Sequence, residues 1–375
     1  MSIRQHNLGS IIKPGFNPLG AQTTTVLYNL LSWGSNNQGQ LGLGNTTNYS
    51  SPKQVGALTT WYTVSSGNFF TTSIKTDGTL WAWGQNNNGK LGLGNTTYYS
   101  SPKQVGALTN WSKIATGNQA CVAIKTDGTL WSWGYNAFGT LGLGNTTNYS
   151  SPKQVGALTD WLNIGCGTYH VVATKTNGTL WSWGYNLFGQ VGLGNTTVYS
   201  SPKQVGALTA WLFVAASSYR TFSIKTDGTL WTWGNNSNGT LGLGNTTAYS
   251  SPKQVGALTN WLKISGGRYN TASIKTDGTL WTWGQGTSGK LGLGNTTSYS
   301  SPKQVGSLTN WLNLACGEYH TLSTKTDGSL WSWGLNDQGQ LGVGNTTNYS
   351  SPKQVGASYF WTTVAGGRQF SMAIG

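Results

Sequence analysis

The chain repeats itself every 50 residues. Ser-Pro-Lys-Gln-Val-Gly begins at Ser51, Ser101, Ser151, Ser201, Ser251, Ser301 and Ser351, and Trp-Gly recurs from Trp33-Gly34 to Trp333-Gly334. A fixed period of this size marks one supersecondary unit copied into an array, because such a unit buries its core only by stacking on its neighbours. The copies also act as an internal control. Positions that stay constant hold the unit together, and positions that vary are free to do something else.

Within residues 51–100 four segments have strand length and none shows helical periodicity: Lys53–Leu58, Trp61–Ser65, Phe69–Lys75 and Thr79–Gly84. Thr76-Asp77-Gly78 separates the last two and reads as a tight hairpin of type I′, with Asn177-Gly178 as the variant in one copy. Gln85 to Ser100 reads as a Gly/Asn-rich loop. The Asn of Trp-Gly-x-Asn is replaced only by Gly286, which suggests a turn position that tolerates positive φ. Four short strands per unit, repeated radially, describe the blade of a propeller.

The arithmetic of closure points the same way. Gly375 falls at the repeat position of Lys75 and Val26 at that of Thr76, so residues 26–375 make seven full periods. The expected fold is all-β: a seven-bladed β-propeller of four-stranded blades. Phe370–Gly375 should pair with Val26–Gly34 in a shared blade, which removes the open sheet edges.

Composition fits a scaffold more than a catalyst. The net charge is +14, but the Lys53 series (seven) and the Lys75 series (six) supply 13 of the 22 basic residues as rings of framework lysines. General attraction to anionic surfaces is expected, and a specific nucleic-acid stripe is not. The 20 tryptophans occupy three repeat positions, those of Trp33, Trp61 and Trp81, with Leu31 standing in for the last, and all read as framework. Cys121, Cys166 and Cys316 form no close pair and read as small buried residues. Five of the eight carboxylates are the turn residues Asp77, Asp127, Asp227, Asp277 and Asp327, leaving Asp160, Glu318 and Asp337. Of the three histidines, His6 lies in the arm, and His170 and His320 share one repeat position three units apart, which should place them across the channel mouth from each other as exposed loop histidines. No constellation of acid, base and nucleophile or of metal ligands emerges, so no enzyme activity, metal or cofactor is expected. The Gly-Leu-Gly-Asn-Thr-Thr loops lack the lysine and helix of a phosphate loop, and their Asn-Thr-Thr sequons read as turn chemistry. No secretory leader and no membrane-inserting segment is expected.

Antiparallel pairing sorts the loops onto two faces. The loops after Gly67 and Gly84 share the first face; the Asp-Gly turn and Ala57-Leu58-Thr59 share the second, which reads as nearly constant apart from position 60. The first face varies toward aromatic, Arg and His residues, which is the composition of an interaction surface on a rigid scaffold. Its candidates are Phe69, Phe70, Tyr135, Phe138, Tyr169, His170, Tyr185, Phe188, Tyr219, Arg220, Arg268, Tyr269, Glu318, Tyr319, His320, Arg368 and Phe370. Residues 1–25 lie outside the repeat as a separate arm, with Ile11, Ile12, Phe16 and Leu19 as candidates for docking into a larger assembly.

The motif Trp83-Gly84-Gln85-Asn86, Gly89 and Leu91-Gly92-Leu93-Gly94 recurs in each unit, with Val191 and Val343 replacing leucines. It resembles the regulator of chromosome condensation repeat, over residues 26–375. The resemblance implies a seven-bladed propeller. It also implies a role like that family's best-known member, an exchange factor for the small GTPase Ran that binds chromatin, or like its bacterial member that blocks β-lactamase through propeller loops. No divergent insertion here matches an exchange wedge. The opening of the arm resembles the start of virion proteins of marine bacterial viruses. Two functional expectations follow. One is a recognition subunit displayed on a virion or cell surface, adhesin-like, binding a protein or cell-surface glycan and anchored to virion subunits by its arm. The other is a soluble, cytoplasmic protein–protein interaction regulator acting on a small GTPase or chromatin.

Overall fold

The computed structural model describes residues 28–356 and 359–375. They form seven four-stranded antiparallel sheets arranged as blades. In one blade the strands run Trp61–Ser66, Phe70–Lys75, Leu80–Gly84 and Tyr99–Gln104. The first of these is innermost, and the inner strands of successive blades touch one another around the axis. The seventh blade takes Thr363–Gly366 and Phe370–Ile374 from the end of the chain and Leu30–Gly34 and Tyr49–Gln54 from its beginning. Leu30 pairs with Ile374 and Gly34 with Phe370. The shared blade expected from the repeat arithmetic is therefore present, and the ring has no open end. The candidate arm, including Ile11, Ile12, Phe16 and Leu19, lies outside the described residues.

Three local expectations are corrected. The outer strand is Tyr49–Gln54 and its repeats, not Lys53–Leu58, so the loop from Gln85 ends as a strand at Tyr99. The strand carries Pro52, which has no N–H to donate, and the ladder is irregular opposite the equivalent Pro102; an outermost strand tolerates this. Val55 then turns into the core, 1% exposed.

The Asp-Gly turn is not of type I′. Gly78 has φ +75, while Asp77 is absent from the non-glycine residues with positive φ. Gly78 N donates to Lys75 O at 2.9 Å and Lys75 N to Thr79 O at 3.0 Å, which is a three-residue loop with a left-handed glycine. Asp77 is there for its side chain. Its Oδ1 accepts from Thr79 N (2.9 Å) and Thr79 Oγ1 (2.6 Å), and Trp81 Nε1 donates to that hydroxyl at 2.8 Å. Asn177 makes the same bonds, which explains the exchange.

The Asn of Trp-Gly-x-Asn is likewise not a positive-φ residue: Asn86 has φ −127. It is fully buried and serves as a hydrogen-bond hub. Oδ1 accepts from Leu91 N at 2.8 Å, and Nδ2 donates to the carbonyls of Asn95 and Thr97, each at 3.0 Å. Asn95 Oδ1 in turn accepts from Thr97 N at 3.0 Å, the turn chemistry expected of the sequon.

Tryptophan holds the blades to one another. Trp83 is buried, and its Nε1 donates at 2.9 Å to Gln40 O, contributed by the preceding unit. Trp61 packs edge-on against Trp83 with centroids 5.8 Å apart. Trp81 is half-buried under Lys75, whose Nζ sits 3.6 Å from its ring centroid. Gly92 approaches the next blade's Trp133 so closely that a Cβ would lie 2.8 Å from Nε1, and its φ is +76. Space and backbone both demand glycine there.

Candidate functional site

The first face surrounds the mouth of the axial channel, a cavity of 430 Å3 lined by the Gly67-type loops of all seven blades. The cavity wall is polar and small: Ser65, Thr116, Cys166, Ser217 and Cys316 among others. The two cysteines are 7–8% exposed. Burial pushes their thiols up, Cys166 to about 12 and Cys316 to about 11, so neither is a ready nucleophile at neutral pH. Among the described residues, no group of three or more His, Cys, Asp or Glu side chains is placed to hold a metal.

One arc of this face is aromatic. Loops after Trp-Gly supply Tyr135, Phe138, Tyr185 and Phe188; loops after the inner strands supply Tyr169 and Tyr219. Phe138 lies 5.2 Å from Tyr169 and 4.9 Å from Tyr185, and Phe188 lies 5.2 Å from Tyr219. Tyr135 touches Tyr169 at 5.7 Å, and Tyr185 touches Tyr219 at the same spacing. The rings form one continuous cluster across blade boundaries. They are half-buried, with Phe188 reaching 38% exposure. Burial beside neighbouring tyrosines raises the phenols of Tyr169 and Tyr219. Rigid aromatic surface of this kind gives contact area with little loss of side-chain entropy.

The opposite arc is charged. Glu318 is held between Arg268 (Nη1–Oε1 2.5 Å) and Arg368 (Nε–Oε2 3.0 Å), and the arginines cover it to 8% exposure while remaining partly in solvent themselves. Arg368 lies over Phe69 at 5.1 Å, and Arg268 over Tyr269 at the same distance. Tyr269 and Tyr319 stack at 6.0 Å. Beneath them Lys290 is buried against both rings, at 5.3 and 5.7 Å. Burial pushes its amine down to about 8, opposed by the charge of Glu318. Lys90 is its equivalent and is also pushed down by burial to about 8. The sequence reading missed both lysines. The available signal was Gly-Lys at 89–90 and 289–290, where other units carry Gln or Thr.

Five candidates leave the surface. Phe70, His170, Arg220, His320 and Phe370 are 0–2% exposed. Each opens the second strand of its blade and points between blades, not out of the loop. His170 Nε2 lies 2.9 Å from Thr221 Oγ1, and that hydroxyl donates to Gln190 O at 2.7 Å, so the ring must donate from Nε2. His320 does the same with Ser371 Oγ at 2.8 Å, which donates to Gln340 O at 2.8 Å. Asn270, at the same position, donates to Thr321 Oγ1 at 3.1 Å. Arg220 donates to the carbonyls of Gly267 and Arg268. The histidines are thus cross-blade struts, not exposed loop residues at the channel mouth. Burial holds both imidazoles down, to about 3. The other surface candidates, with Glu318 under its arginines, stay around the mouth.

The second face is less constant than the repeat suggested. Besides position 60, position 62 varies, reading Tyr62, Ser112, Leu162, Leu212, Leu262, Leu312 and Thr362.

With this geometry in view, comparison with known proteins is informative. Residues 162–373 match the RCC1-like domain, and residues 29–74, 77–124 and 127–174 match the regulator of chromosome condensation (RCC1) repeat. The chain belongs to the RCC1-like family of propellers. Prp20p from Saccharomyces cerevisiae, whose structure was described with its binding to Gsp1p and histones, superposes with a TM-score of 0.84 at 18% identity. The match covers 94% of this chain and 92% of that one. Human WBSCR16 superposes with a TM-score of 0.83 at 21% identity, covering 92% of this chain and 98% of that one. Yeast RCC1 (Prp20) bound to Kap60 gives 0.83 at 18% identity, covering 100% and 96%. At these identities the likeness is one of fold. No curated protein matches the sequence.

Proposed function

We propose that the chain is a non-catalytic protein-interaction regulator that holds a protein partner on its first face. The carrying observation is the continuous aromatic arc from Tyr135 to Tyr219, facing the Arg268–Glu318–Arg368 cluster across the channel mouth. Variation between otherwise near-identical units has gathered large, rigid side chains and arginines, the residue types that anchor interfaces. The partner class is read from the relatives' own partners: a small GTPase like Gsp1p, or histones. Binding without nucleotide exchange is the expected mode, since the repeat carries no divergent insertion. Display on a virion or cell surface rests on the arm, outside the described residues.

The test uses the full chain immobilised against purified Gsp1p-type GTPase and core histones. Binding to one of them, weakened by Tyr169→Ala/Tyr185→Ala/Tyr219→Ala, is the expected result. At about 2 kcal/mol for a central aromatic anchor the loss should exceed roughly 100-fold. Binding unchanged in the triple variant overturns the face assignment. Binding to neither protein overturns the partner class.

A further inference from the structure

The second face carries apolar surface that the fold does not use. Leu58 and its repeats through Leu308 stand in the turn between the outer strand of one blade and the inner strand of the next, each 47–54% exposed. Closer to the axis, Tyr62, Leu162, Leu212, Leu262 and Leu312 begin the inner strands and are 37–58% exposed. Phe360, on the same face beside the Gly328 turn, is 63% exposed. The inner position keeps leucine in four units and departs from it as Tyr62, Ser112 and Thr362, so five of seven units carry a large apolar residue there.

Summed over both rings, these side chains leave roughly 1,000 Å2 of apolar surface in solvent. About 800 Å2 per partner suffices for a stable interface. Most charges of this face are balanced locally, leaving an excess of two lysines. The six lysines of the Lys75 series are folded over tryptophans, and they are matched by five turn aspartates and by Asp160, which pairs with Lys175 at 3.3 Å. The remaining cations, Lys113 and Lys263, are tied to the Leu162 and Leu312 carbonyls at the channel mouth. A face with so small an excess of charge offers little to a strongly charged ligand.

We infer that the occupant is a second copy of this chain, in a face-to-face dimer. A two-fold axis perpendicular to the propeller axis preserves radius, so it brings the outer leucine ring to the radius of its own copy and the inner ring to the radius of its own copy, with the rotation setting how their members interdigitate. Concentric rings are self-complementary by construction; an unrelated partner would have to reproduce both radii. The dimer leaves both first faces pointing outward, so it is independent of the partner assigned to that face.

Sedimentation of the full chain from 1 to 100 µM, at ~0.1 and ~0.5 M salt, tests this. The net charge of +14 opposes association, so the dimer should tighten as salt screens it. Leu162→Gln/Leu212→Gln/Leu262→Gln should weaken it by at least ~100-fold. The variant's fold is checked by circular dichroism, and the single variant Leu212→Gln, expected to weaken the dimer less, guards against misfolding of the triple. A wild-type monomer throughout the range overturns the proposal, as does a dimer of unchanged strength in a folded triple variant. Hydrogen exchange showing residues 56–62 protected in such a monomer would assign the face to the chain's own residues 1–27 instead.

Discussion

Acidification should destabilise this propeller through two histidines, in a pH window of their own. His170 and His320 are 0% exposed, each donates from Nε2 to a hydroxyl of the next blade, and each leaves Nδ1 without a partner among the described residues. A second proton would have to sit on that buried nitrogen. Burial lowers the folded pKa to about 3 from an ordinary 6.5; at His170 the Arg220 backbone opposes this and the Arg220 charge adds a smaller push downward. Between these values the unfolded chain binds more protons than the folded one. Stability is therefore full above pH 6.5, falls as pH drops through the window, and reaches its floor below about 3. Between pH 7 and 4.5 each histidine should withdraw about 2.5 kcal/mol, about 5 kcal/mol for the pair. The turn aspartates do not confuse this interval, because hydrogen bonds from Thr79-type residues lower their pKa values below 3.8 and move their loss to stronger acid. The assay is urea denaturation at pH 7 and 4.5, on the wild type and on His170→Asn/His320→Asn. Asparagine is the residue this chain already uses at position 270 for the same bond. The variant should lose most of the pH dependence. An identical pH dependence in both proteins would refute the burial argument.

Three further outcomes follow from the packing. Asn86→Ala removes, from a fully buried side chain, the acceptor of Leu91 N and the donor to two carbonyls, and should cost about 2–4 kcal/mol in chemical denaturation. Gly92→Ala forces a Cβ against Trp133 at positive φ, and should cost about 2–4 kcal/mol, with a shift in tryptophan fluorescence. Deleting residues 370–375 removes the strand that Leu30–Gly34 pairs with, opens the ring, and should lower the melting temperature by more than 10 °C; an unchanged value would contradict closure through the shared blade.

The fold was legible because the repeat is nearly perfect. Period, strand count and the offset between Val26 and Gly375 determine blades and closure without any propensity argument. What failed was the reading of single side chains. Asp77 and Asn86 read as backbone choices, because Asp-Gly and Asn-for-Gly exchanges are usual at positive φ; their actual work is hydrogen bonding, which only the neighbouring residues reveal. His170 and His320 read as surface residues because they follow a loop. One residue separates them from Tyr169 and Tyr319, which do face the mouth, and alternation along the strand sends neighbours to opposite sides. A one-residue phase decides between anchor and strut, and nothing in the sequence marks where the strand begins. Lys90 and Lys290 are masked in the sequence because framework lysines dominate the count. The aromatic arc, by contrast, was visible residue by residue, and the structure adds that its rings touch.

The most direct test of the first-face assignment is a hydrogen-exchange footprint of the full chain with and without a saturating protein partner, Gsp1p-type GTPase or histone. The account predicts protection in the loops holding Tyr135–Phe138, Tyr169, Tyr185–Phe188, Tyr219 and Arg268, with the Asp77-type turns unchanged. Protection confined to those turns or to the outer Tyr49–Gln54-type strands would contradict it.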